Sequence, residues 1–71
     1  MPKEVKSAQE ATEIAQTFLK KGRYWYARPL KARREDDVWL VEMDVGPLLT
    51  IVAKVKIDAK SGDILEYTIP S

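Results

Sequence analysis

The chain has 71 residues, a formal net charge of +1, and neither Cys nor His. That length holds one small domain, which buries only about 60% of its unfolded-chain surface, and without Cys neither disulfides nor thiolate metal sites can brace it. Twelve basic against 11 acidic residues, with 45% hydrophobic residues, describe a globular chain with no bulk field for polyanions.

The absence of His also removes the commonest general base and metal ligand. No apolar run approaches the ~20 residues that span a bilayer, so no membrane is expected among its partners. Residues 1–6 read as a polar lead-in without the apolar stretch of a signal peptide, which gives the expectation of a cytoplasmic protein. Asn is absent while Lys, Arg and Glu are abundant, a thermophile-like composition.

Residues 7–71 read as a single domain. Ser7-Ala8-Gln9-Glu10 fits a capping box: the Ser7 hydroxyl accepts from the Glu10 amide, and the Glu10 carboxylate returns to the cap. Ala8, Ala11, Ile14, Ala15, Phe18 and Leu19 then fall on one helical stripe. Lys20 and Lys21 suit the negative end of the helix dipole, and Gly22 is expected to supply a left-handed stop. The spacing predicts a helix over 7–21.

Four strands are predicted after it. The first, over 24–34, is irregular: Tyr24, Tyr26, Leu30 and Ala32 share one phase and Trp25 and Ala27 the other. A bulge at Arg28-Pro29 would switch between them, and Pro29, which has no amide to donate, places the strand at an edge. From 38 to 45, Trp39, Val41, Met43 and Val45 alternate with polar Glu42 and Asp44. From 49 to 57, Leu49, Ile51, Ala53, Val55 and Ile57 alternate with Lys54 and Lys56. Leu65, Tyr67 and Ile69 form the last inward set. Parity demands an odd connection at Gly46, such as Gly46-Pro47-Leu48, if the apolar sets of the middle strands are to share a face. The predicted class is α+β: one N-terminal helix packed on a four-stranded antiparallel meander, in the order α-β-β-β-β.

No residues assemble into a catalytic pattern. Ser7, Ser61 and Ser71 have no His partner, and no Lys lies in an apolar stretch that would shift it. Asp36-Asp37 reads as a turn, and Glu42 with Asp44 as a solvated strand face. The stretch 58–63 lacks the alternating carboxylates and closing Glu of a calcium loop, and reads as a hairpin turn with Gly62 at positive φ. No catalytic residue, cofactor or metal ligand is assigned, and the chain is not expected to be an enzyme.

Two features point to binding. Leu40, Val52 and Ile64 fall in outward phases of three strands, and with Trp25 or Leu48 they would form an apolar patch, so that a protein partner or a second copy would be recognised through this open sheet face or through one of the meander's two unpaired edges. Separately, no acidic residue occurs from Ile14 to Arg34. Arg23, Arg28, Lys31 and Arg33 are interleaved there with Tyr24, Trp25 and Tyr26, residue types that neutralise phosphates and stack bases. Nucleic acid is therefore the alternative partner, unless the aromatics pack under the helix and the cations merely guard an edge.

The stretch from Val55 to Tyr67, with Asp58, Ser61-Gly62-Asp63 and Ile64-Leu65, resembles the closing hairpin of PepSY domains. Ala11, Ile14, Ala15 and Phe18 resemble that family's opening helix, and Trp39-Leu40-Val41-Glu42 its middle strand. The resemblance spans nearly the whole chain. It implies a small non-enzymatic module that binds or regulates another protein, with no fixed catalytic residues.

Overall fold

The computed structural model describes residues 4–70. One helix, α1 (Ala8–Lys21), precedes strands β1 (Arg28–Glu35), β2 (Val38–Asp44), β3 (Val52–Asp58) and β4 (Ile64–Thr68). The strands form one antiparallel sheet in the order β1-β2-β3-β4, with α1 packed on β1, β2 and β3. This is the expected α+β meander.

The start of α1 follows the capping logic with one change. The Ser7 hydroxyl accepts from the Glu10 amide at 3.2 Å, but the Glu10 carboxylate accepts from the amide of Lys6, at 2.9 Å, one residue before the cap. Its end departs from expectation. Gly22 has φ −77°, outside the left-handed region, and its amide donates to the Leu19 carbonyl at 3.1 Å. A tight closing bond to Leu19 thus ends the helix where a left-handed residue was expected.

Ala11, Ala15 and Leu19 are the buried face of α1, while Ala8 stays exposed. The two alanines bring the helix close to a sheet surface of Val41, Met43, Ala53, Val55 and Ile57, all nearly without exposure. The register pairs Trp39 with Ile57, Val41 with Val55 and Met43 with Ala53, so the apolar sets share a face. The Val45 amide donates to the Ile51 carbonyl at 2.9 Å, which leaves a loop over 46–50. The connection is odd, as parity requires, but two residues longer than Gly46-Pro47-Leu48. Leu49 consequently lies in the loop, exposed, and not in the strand's inward set.

Further expectations are corrected. β1 begins at Arg28, so residues 24–27 belong to the connection, and the extra residue of its bulge is Leu30, between the Pro29–Met43 and Lys31–Glu42 pairs. A second bulge lies in β4: Ile57 pairs with Ile64 but Lys56 with Glu66. The extra residue, Leu65, is half-exposed, and Ile64 packs on the core in its stead. The described part of the lead-in is not merely polar. Val5 is fully buried, donates its amide to the Ala59 carbonyl at 2.7 Å, and accepts the Trp39 indole N–H at 3.0 Å. Residues 1–3 lie outside the described residues.

Candidate functional site

The sheet face turned away from α1 is uncovered among the described residues. Two rows of partners cross it: Lys31, Glu42, Lys54 and Thr68, then Arg33, Leu40, Lys56 and Glu66. Arg33 pairs with Glu35 at 2.9 Å and Lys56 with Glu66 at 3.2 Å. Leu40 is half-buried among these charges in a recess of about 190 Å³.

The expected apolar patch does not form on this face. Val52 pairs with Asp44, four residues along β2 from Leu40, a separation of about 13 Å with the Glu42 row between them. Ile64 lies on the opposite face, because the β4 bulge reverses its phase. Trp25 is 75% exposed, but in the α1–β1 connection and not on the sheet.

The basic-aromatic residues are dispersed too. Tyr24 packs against the core, and Tyr26 is half-buried and meets Trp25 edge to face at 6.0 Å. Arg28 donates to Asp44 Oδ2 at 3.3 Å. With Arg33 engaged by Glu35, Arg23 and Lys31 of this set make no ion pair among the described residues.

The two edge strands differ in how they are guarded. β1 carries Pro29, a bulge at Leu30, and Lys31, Arg33 and Arg34, all devices that discourage a further strand. β4 carries Ile64, Leu65, Tyr67 and Thr68, and its one charge, Glu66, is held by Lys56 on the outer face. On its inner side α1 leaves β4 largely uncovered, touching it where Phe18 meets Tyr67 edge to face at 5.0 Å. Two grooves flank that contact. One, of about 510 Å³, is lined by Val5, Glu10, Ile14, Phe18 and Ile64. The other, of about 620 Å³, is lined by Leu19, Arg23, Tyr24, Tyr67 and Ile69.

A further concentration of exposed apolar side chains lies at the end of the sheet where β2 stops and β3 starts. Leu48 is 95% exposed and Leu49 76% exposed in the loop over 46–50. Asp44, which the sequence assigns to a solvated face, organises this loop from a buried position, 3% exposed. Its Oδ1 accepts from the amides of Gly46 at 3.0 Å and Ile51 at 3.1 Å. The Gly46 amide first, then that of Ile51, holds the carboxylate below the ordinary Asp value of 3.8, with Arg28 adding to the effect against desolvation. Gly46 is required for a steric reason: a Cβ there would collide with the Leu49 carbonyl oxygen.

Among the described residues, no group of three or more His, Cys, Asp or Glu is placed to hold a metal ion, and no helix is long and apolar enough to cross a membrane. Comparison with family models, with curated proteins and with solved structures returns no match for this chain.

Proposed function

We propose that the chain is a small non-catalytic binding module that accepts an extended segment of a protein partner, or of a second copy of itself, along β4. The observation that carries this reading is the asymmetry of the edges: β4 lacks the proline and the run of cations of β1 and borders an apolar groove. Main-chain pairing on an open edge gives affinity, and pockets beside it give specificity. The resemblance to PepSY domains points the same way, and the cytoplasm is the compartment proposed with it.

Guarding β4 tests this. Tyr67→Lys places on β4 the kind of charge that β1 carries. Light scattering over a concentration series reads self-pairing, and capture from a cell extract reads a foreign partner. The native chain is expected to associate or to capture a protein, and the variant to lose that property while keeping its fold. Association unchanged by Tyr67→Lys, or a strict monomer that captures nothing, overturns the reading.

A further inference from the structure

The molecule has one end that is cationic and apolar at once. β1 starts there, β2 ends there and β3 starts there, because Arg28 pairs with Asp44 and Asp44 with Val52. The second half of α1 and the residues after it reach the same end: Gln16 Nε2 donates to the Ala27 carbonyl at 3.0 Å, and Lys21 and Arg23 line one groove with Ile69, just past β4. The connection that carries Lys20, Lys21, Arg23 and the exposed Trp25 therefore enters the sheet at the end where Leu48 and Leu49 are exposed. Asp44, at the root of the loop, is buried and bonded to Arg28, while Lys21 also lines the groove that holds Glu10 and Glu13. The acidic residues Glu35, Asp36, Asp37, Asp58 and Asp63 occupy the opposite end. The seven residues of β2 separate the two ends by about 20 Å, roughly two Debye lengths at 0.1 M salt. The basic residues of this end are therefore screened from the acidic turns of the other.

We infer that this end docks on the surface of an anionic lipid bilayer. Leu48 and Leu49 sit on a loop tip braced by Asp44 and Gly46, so they are presented to solvent without a folding role of their own. Trp25 is of the type that settles at the headgroup level. Lys20, Lys21 and Arg23 supply attraction to acidic headgroups. Aliphatic side chains at the tip favour an acyl boundary over nucleic acid, whose bases would engage Trp25 and leave the leucines in water. The expectation of no membrane partner rests on the length of a spanning segment. Docking on a surface has no such requirement, and this surface adjoins the β4 edge, sharing with it the groove lined by Arg23 and Ile69.

The test uses the full chain with phosphatidylcholine vesicles, with and without phosphatidylserine, followed by flotation and by the tryptophan emission. Binding to the phosphatidylserine vesicles at low salt is expected, with a blue shift that disappears in Trp25→Phe. The double variant Leu48→Asp/Leu49→Asp is expected to lose at least about tenfold in partitioning, and Lys20→Gln and Lys21→Gln about fivefold each. All these positions are exposed, and a circular dichroism melt confirms that each variant folds. The inference falls if the native chain ignores anionic vesicles at low salt, or if the leucine variant binds as well as the native chain. It falls equally if a single-stranded oligonucleotide binds the chain and vesicles do not.

Discussion

The two ends of the sheet are closed by different means. At the end where β2 begins, main-chain groups do the joining. Val5 bonds to Ala59, the Ala59 amide donates to the Asp37 carbonyl at 2.8 Å, and the Trp39 indole N–H reaches the Val5 carbonyl. The turn there is two residues long, with Asp36 at φ 55°. At the other end a wider loop hangs on one buried carboxylate and one glycine, and its leucines face solvent. The first end is drawn into the core. The second is rigid at its root and apolar at its tip, the form expected where a surface is presented to something else.

Breaking the glycine contact has the largest expected effect. Gly46→Ala forces a Cβ against the Leu49 carbonyl oxygen, a backbone atom with no rotamer by which to escape. The cost is expected near 3 kcal/mol, the upper range for overpacking, read from denaturant unfolding. Next is Trp39→Phe, which removes the indole donor and leaves the buried Val5 carbonyl without it. About 2 kcal/mol is expected, with faster amide exchange at Val5 and Ala59. Smaller again is Gly62→Ala, where φ of 81° costs an L-residue about 1 kcal/mol. Equal losses at Gly46 and Gly62 would show that backbone strain, and not the close approach of Leu49, governs the loop, and the contrast between the two ends would go.

The contrast also separates what the sequence makes legible from what it does not. The helix and the β2–β3 register are legible because each rests on a period: 3.6 residues for Ala11, Ala15 and Leu19, two for Trp39, Val41 and Met43. The bulges at Leu30 and Leu65 are not, because one extra residue shifts the phase without changing composition. That shift is why Ile64 reads as outward and lies inward. Asp44 is misread for a related reason. Its strand phase is outward, but the loop folds back to give it two amides, a pairing that alternation does not encode. The signal that could have found it is Gly46-Pro47 two residues on, followed by Leu48-Leu49 in a segment too polar on neither side to be an ordinary turn. Trp25 stands out in sequence, yet its separation from Leu40 and Val52 depends on where β1 begins, which the bulge obscures.

The mildest perturbation, acid, discriminates between the ends most cleanly. The folded-state pKa of Asp44 is depressed, so its carboxylate contributes stability above the ordinary Asp range and loses it as pH falls through the lowered value. Protonation weakens acceptance from Gly46 and Ile51 and the pairing with Arg28 together. The loop over 46–50 is therefore expected to loosen first, with faster exchange at the Gly46 and Ile51 amides. The Trp39–Val5 bond contains no titrating group and keeps its protection through the same range. Asp44→Asn, which offers one carbonyl oxygen but no charge, is expected to retain part of the loop's protection and to abolish its pH dependence. Loosening at the Trp39 end at the same pH would mean that the two ends open as one unit, and that Asp44 reports on global unfolding and not on its own loop.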